Sequence, residues 1–414
     1  MKVAVVGGGL AGLSAALELS REGHSVLLAE ARPTLGGAVQ TLPEREGDPS
    51  PPPDNGQHVA LGCCTEYLDF IDAIGRSGSL SRLRLGLPVV AEDGSVATIR
   101  PGLVGLLRYR HISMGERLAV ARVARRLAKL EPSAHDEETF GALLRRLGQS
   151  QEGIDRFWDV FIRPALNLPT NEVSATPGIF TVQTALLGGG GASDLLLPTA
   201  PLGEMHGEAA GAELQRRGVE VALGRRVSSL EDLDADAIVL AVPPGESARL
   251  LGEPEPPLED SPIVSVHLLL DRVILHHPLA ALLGSDAHWL FDRGALTSRQ
   301  PERGQYITIV SSGVPELLDL RGRGLIDELA GQVVERLGPA EVLWSRVSRE
   351  PAATFAARPG TARLRPGAAT GRPNVVRAGA WTDTGWPATM ESAVRSGREA
   401  ARVLGASVRE KVVA

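Results

Sequence analysis

Apolar positions in this chain form short dense runs near both ends and looser mixed patterns between them. Val3 to Val6 is an unbroken apolar run of strand length, and Leu13 to Arg21 continues as a helix. Ser25 to Ala29 reads as a second strand, so residues 1–42 make a β-α-β unit. Residues 43–55 carry Pro51, Pro52 and Pro53 among acidic and small neighbours and read as an exposed loop. Thr65 to Ile74 reads as helix, and Leu87 to Ile99 as a hairpin turning at Asp93-Gly94. Gly218 to Leu223 and Ala237 to Val242 read as further strands, and Ser261 to Asp271 and Tyr306 to Ser311 as strands of another sheet. Leu325 to Leu337 reads as helix, Val375 to Ala378 as strand and Thr389 to Leu404 as helix.

β-α-β patterning thus recurs at both ends with different material between. It predicts an α/β protein, a Rossmann-like nucleotide domain with an inserted α+β substrate domain. The expected nucleotide domain is discontinuous, from residues 1–75, 205–260 and 370–414; residues 76–204 and 261–369 form the substrate domain. Gly188 to Gly191 reads as a mobile loop and not a phosphate cradle, because no strand leads into it and no Lys-Ser/Thr follows. No internal repeat is visible.

Residues 114–130 interleave apolar Met114, Leu118, Val120, Val123 and Leu127 with basic Arg117, Arg122, Arg125, Arg126 and Lys129. Arg108 and Arg110 lie just upstream. Two readings stand side by side, a membrane-surface helix and a helix with a solvated cationic side.

At 414 residues the chain has length for two or three domains. Its 43% hydrophobic and 22% charged content is that of an ordinary globular protein, and a net charge of −7 speaks against general nucleic-acid binding. Cys63 and Cys64 are adjacent and are expected to be reduced core residues of a cytosolic protein; they give no zinc signature, and no metal site is expected. The apolar start is broken by four glycines in six residues, which argues against a secretion signal. No apolar run reaches the roughly 18 residues of a membrane span.

Gly7, Gly9 and Gly12 fit G-x-G-x-x-G between the first strand and its helix, the dinucleotide fingerprint. The helix N-terminus there offers free N–H groups to phosphates. Glu30, at the end of the second strand, is placed to accept hydrogen bonds from a ribose. Gly36-Gly37 follows, which suits a backbone passing close to a flavin, and Arg32 either balances pyrophosphate charge or is a surface arginine. Asp54-Asn55-Gly56-Gln57-His58 gathers acid, amide and imidazole beside an apolar run, a candidate acid–base cluster. Gly379 to Glu391 reads as a strand end, a glycine turn at Gly385 and a helix start that would aim N–H groups at an anion such as reduced flavin. No second fingerprint follows the first, so FAD is the expected resident cofactor and a separate NADPH domain is not.

Four segments, Asp54–Val59 with Leu61-Gly62-Cys63, Trp289–Arg293, Ala353–Phe355 and Trp381–Glu391, resemble the flavin-dependent amine oxidase and carotenoid desaturase superfamily. Within it the chain is similar to the hydroxysqualene dehydroxylases of bacterial hopanoid pathways. The resemblance implies FAD-dependent reductive dehydroxylation of hydroxysqualene to squalene, with hydride from reduced flavin and His58 and Asp54 as acid candidates. It places FAD contacts at Gly7, Gly9, Leu10, Ala11, Gly12, Glu30, Ala31, Arg32, Gly36, Gly37, Gly56, Gln57, Val227, Gly379, Asp383, Trp386, Ala388, Thr389 and Met390. It also implies a hydrophobic C30 isoprenoid substrate, an external reductant (NADPH, or reduced flavin or ferredoxin) and a cytoplasmic enzyme with peripheral contact on the inner face of the cell membrane. Ala38 stands where the family has arginine and Ala380 where it has aspartate, so weaker flavin retention is expected, with Asp383 a candidate to compensate. The alternatives left open are an oxidase or desaturase acting on a polyene or amine, and a non-catalytic lipid carrier such as the Rab GDP-dissociation inhibitors.

Overall fold

A computed structural model describes the backbone of residues 1–413 and the side chains through residue 406. Five parallel strands form one sheet, in the order Val375–Arg377, Ala237–Leu240, Lys2–Val6, Ser25–Glu30 and Glu220–Leu223. The opening strand lies in the middle because its apolar side chains are buried on both faces, as a parallel sheet requires. Helices Leu10–Arg21 and Met390–Val413 meet over this sheet. A Cβ on Gly397 would stand 2.2 Å from the Ala11 carbonyl oxygen, so their backbones touch. The opposite face is covered by Val227, Leu230, Leu233, Leu250 and Leu251.

Seven strands form the second sheet, in the order Val342–Phe355, Asp260–Leu270, Gln305–Ser312, Trp289–Asp292, Leu279–Leu282, Leu87–Val90 and Val96–Ile99. Only the pairing of Leu279–Leu282 with Leu87–Val90 is parallel. One face buries Val264, Val266, Leu268, Ile307 and Ile309 under helix Arg323–Leu337. The other face changes character across the sheet. Its polar end carries Ser265, His267, Thr308 and Arg346, and its apolar end carries Trp289, Phe291, Val89 and Leu87. The two ends meet different parts of the protein, as the site shows. A small third sheet joins Ala60–Leu61, Leu195–Pro198 and Leu80–Leu83.

The fold is thus the α/β, Rossmann-like arrangement expected, with an α+β layer inserted. Elements read from the sequence are present within a few residues of their expected ends, except that the closing helix runs on from 390 to 413. Strand Val342–Phe355 escaped notice because polar residues and Pro351 interrupt its alternation; it lies at the sheet edge, where a proline removes no ladder bond.

Two expectations need correction, and a third gains detail. The loop is exposed over 43–47, but Pro51 and Pro53 to Gln57 are buried, because Arg346 and Arg293 draw it onto the polar end of the second sheet. Cys63 and Cys64 are free thiols but only half-buried, ahead of helix Thr65–Ala73, with Cys64 packed against the edge of the core. Gly188 to Gly191 belongs to a turn hydrogen-bonded to Gly62 and Cys63 through Asp194 and Ala192, and Arg82 pairs with Asp194 at 3.0 Å.

Candidate functional site

The fingerprint is built by backbone contact. Gly7 has φ 105°, which favours glycine. A Cβ on Gly12 would lie 1.9 Å from the Gly7 oxygen, and one on Gly7 2.2 Å from the Ala241 oxygen. Gly36 donates its N–H to Gly8 at 2.8 Å, and a Cβ on Gly37 would reach the Gly9 Cα at 2.8 Å. The two glycine segments therefore interlock. Gly9 differs, since its own Cβ would meet only the Gly37 Cα, at 3.7 Å. Its outer side faces open space at the start of helix Leu10–Arg21, which has no side-chain cap and no acidic residue in its first turn. That is a backbone cradle for a phosphate, and it fits a dinucleotide.

Glu30 sits at the edge of this cradle. Its carboxylate accepts the Gly8 N–H at 2.6 Å and the Arg32 N–H at 2.7 Å, so it orders the loop as well as facing the ribose position. Ala31 and Arg32 are exposed beside it, and the Arg32 guanidinium points back to the Gly37 carbonyl at 3.5 Å. Val227 has its side chain in the sheet's second core, and its carbonyl accepts the Arg249 guanidinium at 3.3 Å.

Asn55 ties the next segment in, donating to the Ala38 oxygen at 2.8 Å, while Gln40 donates to the Gly37 oxygen at 2.8 Å. Gly56 lies against the polar end of the second sheet, where a Cβ would be 3.0 Å from Ser265 Oγ. Gln57 is buried, and His58 is crowded by protein atoms yet keeps part of its surface accessible. Loss of hydration lowers the His58 pKa to about 4, so the ring is neutral at pH 7.

Asp54 is placed differently from a catalytic acid. It is 1% exposed and pairs with Arg293, itself 2% exposed, at 2.7 Å. Its other oxygen accepts from Thr41 Oγ1 at 2.7 Å and from the Leu202 N–H at 3.0 Å. Burial pushes its carboxyl up, opposed by Arg293 and these two hydrogen bonds. With no surface left for a substrate, Asp54 fastens three segments together and is a positioning residue, which corrects the acid expected there. Leu202 extends the same network, since its carbonyl contacts His206 Nδ1 at 2.9 Å and His206 Nε2 meets Tyr67 OH at 2.8 Å.

The C-terminal segment closes the site. Gly379 donates to Ser396 Oγ at 2.8 Å, and Trp381 donates its indole N–H to the Val242 oxygen at 3.1 Å, beside Gly7. Residues 386–390 all keep partial exposure at the start of the closing helix. Thr389 caps that start by accepting the Ser392 N–H at 3.3 Å, while Ala388 and Met390 flank it. Trp386 is held under the Arg395 guanidinium, 4.8 Å from its ring centre, and against Phe180 at 5.0 Å. Arg395 is in turn paired to buried Glu391 at 2.7 Å. Asp383 does not replace the missing aspartate; it is exposed, and its carboxylate accepts the Gly385 N–H at 3.1 Å. Arg365 fills that neighbourhood instead, donating to the carbonyls of Ala380, Trp381 and Thr382.

Sequence reasoning missed Arg293, Thr41, His206, Arg365 and Arg395. Only Arg293 lay in a segment already singled out, and no spacing rule could pair it with Asp54. Among the described residues there is no cluster that could hold a metal ion. None of the described helices is long and apolar enough to cross a membrane.

A Rossmann cradle, a double-glycine partner and an open helix start opposite them define an FAD-dependent oxidoreductase site. The profile of flavin containing amine oxidoreductases matches residues 10–404, and the chain belongs to that family. Hydroxysqualene dehydroxylase of Sinorhizobium fredii is 31% identical over 96% of this chain and 97% of its own length. The enzyme of that name from Rhodopseudomonas palustris is 30% identical over 98% of this chain and 99% of its own. Among solved structures, cyclohexylamine oxidase from Brevibacterium oxydans superposes with a TM-score of 0.74 at 18% identity, covering 99% of both chains, which speaks to the fold. The protein is therefore an FAD enzyme, similar along nearly its whole length to hydroxysqualene dehydroxylases.

Proposed function

We propose that this protein reduces hydroxysqualene to squalene, releasing water, as one step of bacterial hopanoid and triterpene synthesis. The observation that carries the reading is the full-length similarity to two enzymes of that name. The site supports it chemically. Immediately after His58 the chain enters an apolar wall, since Val59 and Leu61, like Phe161 and Val310, pack against the hydrophobic cluster that contains Trp289 and Phe291. Val59, Leu61, Phe161 and Val310 are only partly buried, so apolar surface remains for a hydrocarbon.

The overall change replaces a C–OH bond by a C–H bond, consuming a hydride and a proton and releasing water. Reduced FAD supplies the hydride when bound, its electrons coming from an external reductant such as NADPH, reduced flavin or ferredoxin. Gly9, Leu10, Ala11 and Gly12 would hold the pyrophosphate, and Glu30 the ribose. Gly56, Gln57 and the 379–390 segment would hold the flavin end of the cofactor. The apolar wall aligns the chain of the substrate and excludes water. His58, accessible between the flavin-side glycine and that wall, delivers the proton to the departing hydroxyl. Its lowered pKa makes the imidazolium a stronger acid than an ordinary histidine, with a small standing population at neutral pH.

Anaerobic incubation with FAD, NADPH or dithionite, and hydroxysqualene tests this, with squalene measured by mass spectrometry. A second reading, a polyene desaturase, draws on the zeta-carotene desaturase of Zea mays, 27% identical over 38% of this chain. New double bonds in a carotenoid, or oxygen consumption with an amine, and no squalene would decide against the dehydroxylase.

A further inference from the structure

We propose that the helical hairpin of residues 102–127 docks the protein onto an anionic phospholipid bilayer. Helices Gly102–Arg108 and Met114–Leu127 pack side by side on the outside of the inserted layer. Together they leave Leu103, Val104, Met114 and Leu118 between 51% and 64% exposed, a concentration of bare apolar side chains within sixteen residues of chain. A folded protein has no reason to gather such residues unless something covers them.

The charge pattern names the cover. On the longer helix Met114, Leu118, Arg122 and Arg125 lie on one stripe, at i, i+4, i+8 and i+11. The opposite side, with Ala119, Val120, Val123 and Leu127, is buried in the core. Arg100, Arg108, Arg110, Arg122 and Arg125 are exposed, and none has a carboxylate partner among the described residues. Between residues 100 and 130 there are eight Lys and Arg and one acidic residue, Glu116, whose carboxylate takes the Gln149 amide at 2.7 Å. The chain as a whole carries −7, so the cations are concentrated here. Apolar tips ringed by unpaired guanidinium groups match headgroup phosphates above acyl chains. A symmetric contact between two copies would set these arginines against one another.

The hairpin is also held rigid for such a task. Arg117 donates to the carbonyls of Leu107 at 2.7 Å and Ile112 at 3.1 Å, which ties the second helix to the end of the first and to the connection between them. Behind them Tyr109 donates its hydroxyl to the Arg156 oxygen at 2.6 Å and packs edge-on against Phe157. Phe157 packs on Phe161, which belongs to the apolar wall beside Trp289. The hairpin therefore joins the bilayer side to the apolar compartment through one aromatic column.

The test uses the full-length FAD-loaded protein and needs no substrate, so it stands or falls apart from the proposed reaction. Flotation is measured with phosphatidylcholine vesicles, with and without phosphatidylglycerol. The wild type is expected to float with phosphatidylglycerol vesicles in a salt-sensitive manner. Leu103→Asp with Leu118→Asp should weaken this about tenfold or more. Arg122→Gln with Arg125→Gln should erase the preference for phosphatidylglycerol while the thermal midpoint holds. The proposal is overturned if the wild type does not float, if both variants float like it, or if light scattering shows a dimer that the leucine variant splits.

Discussion

Replacing Asp54 by Asn keeps the volume and an acceptor for Thr41 and Leu202, but leaves the Arg293 charge buried without its counter-ion. Both partners are nearly sealed from water, at 1% and 2% exposure, and stand 2.7 Å apart. Breaking such a pair from one side costs about 3–5 kcal/mol, mostly from the charge left behind. For 414 residues unfolding together, each kcal/mol corresponds to about 1 °C, so the melting midpoint should fall by ~3–6 °C. Arg293→Met should cost a similar amount. The double variant should cost clearly less than the sum, with a coupling of about 2 kcal/mol or more. The assay is urea unfolding of all four members of the cycle, read by fluorescence and circular dichroism. A single-variant cost below about 1 kcal/mol, or strict additivity, would refute the positioning role. Turnover gives a second arm. If Asp54 positions residues 54–58, Arg293→Met should lower activity as much as Asp54→Asn. If Asp54 were the proton donor, only its own replacement would do so.

His206 and His267 are buried with pKa values held down to about 4 and about 3, below an unfolded histidine near 6.5, chiefly by loss of hydration. Each therefore contributes stability that is whole above pH ~6.5 and is lost as the pH falls toward the folded values. Urea midpoints should be flat above pH 7 and decline between about pH 6.5 and 4, with a shallower decline in His206→Gln; an unchanged slope would count against this. Gly9→Ala should leave the melting midpoint of the flavin-free protein unaltered while lowering the 450 nm flavin absorbance retained on gel filtration, because only the open side receives the methyl group. Gly12→Ala, whose methyl group meets the Gly7 oxygen, should lower both. Ala38→Arg should tighten FAD binding about tenfold or more, the scale of one charge-assisted contact, read by fluorescence titration. Replacing His58 by Ala should abolish most squalene formation without loss of bound flavin; full turnover would remove it from the proposed proton path.

The elements that could be read from the sequence were those whose signal is local. The fingerprint needs only Gly7, Gly9 and Gly12 between an apolar strand and a helix; Gly7 and Gly12 have a steric reason within the neighbouring backbone, and Gly9 keeps the helix start open. The edge strand Val342–Phe355 lacked that regularity because one of its faces meets polar residues and its Pro351 faces outward. In the site, residues acting through the backbone were legible and those acting through distant side chains were not. Arg293 reaches Asp54, and Arg365 reaches Ala380 to Thr382, across separations that no periodicity records. His58 and Asp54 looked alike in sequence, as neighbouring titratable groups. Burial separates them, leaving one with open surface and locking the other in an ion pair.

The strand order of the parallel sheet sets a timetable for the protein's birth. Strand Lys2–Val6 waits for one side-neighbour until Ala237–Leu240 has been made, and that strand in turn waits for Val375–Arg377. The phosphate cradle is thus translated within the first dozen residues, but its opposing helix start comes near residue 390. A nascent chain holds half a cofactor site until residues near 390 are made. The cofactor site is consequently a product of long-range closure: the fingerprint without the segment near residue 390 is only half of it.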